Sequence, residues 1–110
     1  MGYNSLMEIL ETPVFSKQVQ KVLTDEEYRA LQNVLILNPL AGDLIQQSGG
    51  LRKIRVGSKG QGKRSGSRAI YYWFCEKDQL MMLLIYSKSS QEDLTPDQKK
   101  VLRQIIESED

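Results

Sequence analysis

The chain has 110 residues, 40% of them apolar, with 15 Lys and Arg against 14 Asp and Glu, no His and a single Cys. That length makes one domain with a modest core, and the lone Cys75 excludes an intramolecular disulfide framework and fits a reducing, cytoplasmic compartment. Without His the commonest acid–base pair and most zinc sites are gone, and no apolar run nears the roughly 18 residues of a membrane span.

Residues 1–6 carry no usable pattern: either Met7 is an alternative start or the segment is a frayed extension, and nothing there resembles a secretory signal. Residues 7–11 read as a short strand. Thr12 then caps a helix with Pro13 at its first position, where the missing N–H costs nothing. Phe15, Val19, Val22 and Leu23 recur at i, i+4, i+7 and i+8, the spacing of one helical face. Thr24 and Glu27 make a capping box that opens a second helix with Tyr28, Leu31, Val34 and Leu35 inward, and this helix must stop before Pro39.

After Pro39 the pattern changes. Ser48-Gly49-Gly50 signals a turn, and residues 51–56 alternate as a strand, Ile54 and Val56 on one face, Lys53 and Arg55 on the other. Residues 57–67 contain four glycines interleaved with Lys59, Lys63 and Arg64, and read as a mobile basic loop. β-branched and aromatic residues fill 68–75 and 80–86, joined by a tight connection at 76–79, to complete an antiparallel meander. Cys75 reads as a buried small hydrophobe. Thr95-Pro96-Asp97-Gln98 opens a last helix with Val101, Leu102, Ile105 and Ile106 inward. The order β-α-α-β-β-β-α predicts a single α+β domain, a small antiparallel sheet with two N-terminal helices and one C-terminal helix packed on one side.

Charge is divided unevenly along this order. Residues 44–75 hold seven cations, Arg52, Lys53, Arg55, Lys59, Lys63, Arg64 and Arg68, and no acidic residue, which leaves eight cations against fourteen anions elsewhere. A single-sign segment of this kind suits a polyanion, nucleic-acid phosphate being the obvious one. Residues 57–64 only superficially suggest a Walker phosphate loop, because the four-residue spacing is absent and Arg64 stands where the hydroxyl belongs. The basic segment has no clustered carboxylates for a metal-dependent nuclease, so neither metal nor cofactor is expected. If the chain cleaves RNA it must use Lys, Arg and Tyr, which can stabilise a phosphorane and orient a 2′-hydroxyl but are poor bases unless their pKa is shifted. A weak catalyst positioned by a partner is the natural expectation.

The string Leu51-Arg52-Lys53-Ile54-Arg55, the following Lys59-Gly60-Gln61-Gly62-Lys63-Arg64 with Arg68, and Ile70-Tyr71-Tyr72 resemble HigB-type toxins of the RelE superfamily. Further matches are Glu11-Thr12-Pro13, Asn38-Pro39, Ile85-Tyr86-Ser87-Lys88 and Asp93-Leu94-Thr95, so the resemblance spans residues 8–106. It implies a RelE-like, microbial-ribonuclease-like fold and the toxin of a type II toxin–antitoxin pair. Such toxins enter the ribosomal A site and cleave mRNA there by 2′-hydroxyl attack, which stops translation and arrests growth. A cognate antitoxin, often with a helix-turn-helix domain, neutralises them, and operator DNA is bound only through that complex.

Carried over by position, Lys53 and Arg55 match the basic pair of the superfamily's central strand, Arg68 the arginine that holds the scissile phosphate, and Lys88 a basic position that closes the site. The family's reference member has a tyrosine where this chain has Leu94, which leaves Tyr86 or Tyr72 in that role. Arg52, Lys59, Lys63, Arg64 and Tyr72 are expected to bind RNA, chiefly through phosphates, which carry no base information. The alternative reading is a non-catalytic basic module that binds RNA, ribosome or antitoxin for operon regulation. A DNA-binding regulator lacks a recognition helix, since the basic density sits on strand and loop.

Overall fold

The computed structural model describes residues 7–57 and 66–109. The six-residue N-terminal extension and the loop residues Lys59, Lys63 and Arg64 lie outside the described residues. In chain order the elements are β1 (Glu8–Glu11), α1 (Pro13–Val22), α2 (Asp25–Leu37), β2 (Asp43–Leu44), β3 (Arg52–Val56), β4 (Ser67–Phe74), a 3-10 turn (Cys75–Lys77), β5 (Gln79–Ser87) and α3 (Pro96–Glu109).

The five strands form one sheet in the order β1-β5-β4-β3-β2, antiparallel except where β1 runs parallel to β5. In the meander β3-β4-β5, only β4 and β5 are consecutive apolar runs joined tightly, whereas residues 57–66 separate β3 from β4. Asp78, in the left-handed region at φ 52°, turns the chain from the 3-10 segment into β5. The strand expected at 7–11 is β1; its parallel pairing with β5 and the two-residue β2 have no local pattern, because both are fixed by what they meet across the sheet.

Each helix starts where its cap chemistry requires. Thr12 accepts from Phe15 N–H, with Pro13 at the first helical position, and its hydroxyl also donates to the Leu83 carbonyl at 2.8 Å, which ties α1 to β5. Thr24 and Glu27 satisfy each other's backbone donors at the start of α2. Gln98 does the same for Thr95 ahead of α3.

The helices do not share one side. Phe15, Val19, Leu23, Leu31 and Leu35 pack with Val56, Ala69, Tyr71, Met82 and Ile85 on one face of the sheet. Leu102 and Ile106 of α3 pack with Leu51, Ile70, Leu83, Tyr86 and Leu94 on the other. The expected one-sided packing is therefore corrected: the sheet residues are apolar on both faces, so both need cover. A bulge at Ile70/Tyr71 keeps the alternation in register, setting Leu84 against Ile70 but Met82 against Tyr71.

Three side chains expected inward are not. Val34 and Val101 are exposed, each one position off its helix's buried stripe, and Cys75 is exposed on the 3-10 turn, where the strand has already ended.

A charged pocket and its apolar neighbour

The site is built by alternation on three adjacent strands. Arg55 lies opposite Arg68 across β3 and β4, and Arg68 lies opposite Tyr86 across β4 and β5. Directly opposed residues share a face, so two arginines and a tyrosine stand in one row on the α3 side of the sheet. Lys53 is two residues from Arg55 and therefore on the same face. The Lys88 N–H donates to the Gly66 carbonyl at 3.1 Å, which continues the β4–β5 ladder and brings Lys88 beside the row.

Lys53, Arg55, Arg68 and Lys88 line one pocket of about 310 Å³ together with Asp43, Glu92 and Asp93. Every described lining residue is charged. The three carboxylates come from outside the acid-free segment, from β2 and from the connection between β5 and α3. Sequence reasoning missed them, although Asp93 was already visible as the residue two before the α3 cap. Among the described residues, no three His, Cys, Asp or Glu side chains are placed to hold a metal ion.

Arg68 is the centre of this arrangement. It is only 8% exposed, and its Nη1 is buried with no hydrogen-bond partner among the described residues. A buried guanidinium with an unused donor costs free energy, on the order of 1–3 kcal/mol for the missing partner alone. Facing Arg55 across the ladder adds like-charge repulsion. The Tyr86 hydroxyl is likewise buried without a partner among the described residues. Burial, and secondarily the charge of Asp93, raise its pKa against the opposing pull of Arg68. Tyr86 therefore keeps its proton at neutral pH and offers a donor, not a base.

Lys53 Nζ bonds Asp93 Oδ1 at 2.9 Å, with the lysine side chain 35% and the aspartate 72% exposed. The hydrogen bond and charge of Lys53 hold the Asp93 carboxyl below its ordinary pKa. Because that pKa is depressed on folding, the pair's stabilisation is present above the ordinary Asp value and is lost as pH falls through the folded one. So exposed a pair is worth little. We expect Asp93→Asn to change unfolding free energy by less than about 1 kcal/mol at pH 7, as read by urea denaturation.

Two of the sequence candidates stand elsewhere. Arg52 alternates onto the opposite face, where its Nη1 donates to the Gly42 carbonyl at 2.8 Å. Tyr72 shares the Arg68 face but packs edge-on against Phe74, with ring centroids 4.8 Å apart, under Gly50. An added Cβ at Gly50, whose φ is 111°, would lie 2.8 Å from the Tyr72 ring, so glycine there admits the ring. Neither residue lines the charged pocket.

The family model for the RelE toxin of RelE/RelB toxin–antitoxin systems matches residues 7–109. The chain belongs to the RelE toxin family. Solved structures show the same fold at low identity. The isolated Escherichia coli RelE toxin aligns with a TM-score of 0.58 at 14% identity, over 90% of this chain and 98% of that one. The toxin in the intact E. coli RelBE toxin–antitoxin complex gives 0.56 at 17%, over 72% and 93%. The archaeal RelE–RelB complex from Pyrococcus horikoshii gives 0.54 at 15%, over 79% and 100%. Among the described residues no helix is long and apolar enough to cross a membrane.

Proposed function

We propose that this RelE-family toxin is of the HigB type and is a ribosome-dependent endoribonuclease, cutting mRNA in the A site without a metal ion. The observation that carries the reading is Arg68: a nearly buried guanidinium whose Nη1 has no partner among the described residues, set opposite Arg55 and Tyr86 beside a pocket whose described lining is four cations and three carboxylates. A buried donor left unused in a net-positive pocket is what an oxyanion site requires. A phosphodiester would supply the missing acceptors.

In this reading Arg68 and Arg55 grip the non-bridging oxygens. Lys53 and Lys88 stabilise the added negative charge as the 2′-hydroxyl gives its proton to solvent, its oxygen bonds to phosphorus, and the P–O5′ bond breaks with the 5′-oxygen taking up a proton from solvent. Tyr86, still a phenol, donates to a phosphorane or leaving oxygen. Lys59, Lys63 and Arg64 contribute phosphate contacts, as the basic loop of the resemblance suggests, while Arg52 serves the scaffold through Gly42. With no strong base in the row and Asp93 engaged with Lys53, intrinsic turnover should be slow, which fits a catalyst that relies on the ribosome to orient its substrate. The partners are a cognate antitoxin, as in the RelBE and archaeal RelE–RelB complexes, the ribosome and its mRNA.

The test is primer-extension mapping of a reporter transcript after brief induction, with and without its start codon. Cuts confined to the translated frame are expected. Equal cutting of the untranslated transcript would remove the ribosome requirement, and no cutting of either would leave a module that only occupies RNA or antitoxin.

A further inference from the structure

A second cleft, of about 320 Å³, adjoins the charged pocket, and the two share Lys53 and Asp93. Their characters differ. Its lining is mixed: Leu44 and Ile45 on one side and Leu94 and the Tyr86 ring on the other are apolar, while Gln46, Lys53, Asp93 and Lys99 are polar. The volume falls at the low end of the roughly 300–1,000 Å³ of small-ligand clefts, and apolar surface interleaved with polar groups suits a heteroaromatic ring with hydrogen-bonding edges.

The walls are held in place. The Ile45 N–H donates to the Leu51 carbonyl at 2.8 Å, the Ser48 hydroxyl donates to the Ile45 carbonyl, and Leu44 pairs with Arg52 in the sheet. Leu94 and Tyr86 belong to the core beneath α3. Tyr86, only 6% exposed, leaves its hydroxyl without a partner among the described residues. A flat ring with a hydrogen-bonding edge suits this space, and a nucleotide whose phosphate sits against Arg68 would have its base next door.

We propose that this cleft is a nucleobase subsite, and that it favours bases carrying an exocyclic amino group (adenine, cytosine or guanine) over uracil. The inference rests on the RNA-cleaving reading above. Its chemistry follows from the polar groups. The Asp93 carboxylate can only accept, and Lys53 takes Oδ1, which leaves Oδ2. An amino group donates to that oxygen, whereas the uracil carbonyl would face it acceptor to acceptor. The Gln46 amide offers both a donor and an acceptor for the neighbouring ring atom.

The experiment is sequencing of transcript 5′ ends after brief induction of wild type, Gln46→Ala and Leu44→Ala, normalised to the codons translated. Both substituted residues are exposed and neither lines the charged pocket, so folding and phosphate binding should survive. At one position beside the wild-type cut, uracil should be depleted about five- to tenfold, within the discrimination of a good base contact. The depletion should fall below about twofold in each variant, with cutting retained. Uracil as frequent as the other bases, or a bias unchanged in both variants, overturns the subsite and leaves the nuclease reading intact. An absence of any wild-type cuts overturns the nuclease reading and the subsite together.

Discussion

Arg68→Met should lower translation-dependent mRNA cleavage by about 10²–10³-fold, the usual loss when one preorganised oxyanion donor is removed. The same substitution should leave the melting temperature unchanged or raise it. Both halves have one cause. Arg68 sits on the central strand β4, 8% exposed, opposite Arg55, with a buried Nη1 that has no partner among the described residues. Methionine fills similar volume with a flexible apolar chain, and so removes the desolvated charge without opening a cavity. A residue retained only for stability would behave in the opposite way, with the melting point falling and activity following it. Primer extension and a thermal melt on the same preparation separate the two. Wild-type cutting by Arg68→Met would end the assignment of the scissile phosphate to this guanidinium.

That inversion of stability and activity explains what the sequence could and could not reveal. The caps at Thr12, Thr24 and Thr95 are local chemistry, so α1, α2 and α3 were legible to within a residue or two. Lys53 and Arg55 were placed on one face by strand period alone, and the ladder then set Arg55 against Arg68. What escaped was long-range. Asp93 is forty residues from Lys53 along the chain, yet its carboxylate is 2.9 Å from the ammonium. It lies on the connection that carries the chain from β5 to α3, and that helix packs on the face opposite α1 and α2. A sequence in which both sheet faces are apolar does not announce which helix covers which. The one-sided arrangement is the simpler expectation, and it leaves out the mixed cleft that the β5–α3 connection helps to form beside the charged pocket. Arg52 shows the converse. In a run of basic residues it looks like its neighbours, but strand period turns it away, to the carbonyl of Gly42.

Tyr71 should be the residue whose loss most damages the scaffold beneath both clefts. Its ring is fully buried among the α1 and α2 core residues. Its hydroxyl donates to the Pro39 carbonyl at 2.8 Å and accepts from the Gly42 N–H at 2.9 Å. Those two bonds fasten the segment that leads into β2 against β3, where an added Cβ at Gly42 would lie 2.8 Å from the Lys53 carbonyl. Tyr71→Phe keeps the ring but leaves the Gly42 N–H without its acceptor, at a cost of about 1–3 kcal/mol. Tyr71→Ala adds the cavity of a lost aromatic ring, about 3–5 kcal/mol, which approaches the entire stability of a domain this size. Urea denaturation should therefore show a lowered midpoint with an unchanged slope for Tyr71→Phe, and little or no cooperative transition for Tyr71→Ala. Because Lys53 and Leu44 hang from the strands that this anchor holds, Tyr71→Phe should also blur the base preference at the cut before it lowers the rate. A Tyr71→Phe protein with wild-type stability would mean that water replaces the hydroxyl at Gly42, and the segment would then owe its position to Arg52 and the β2–β3 pairing.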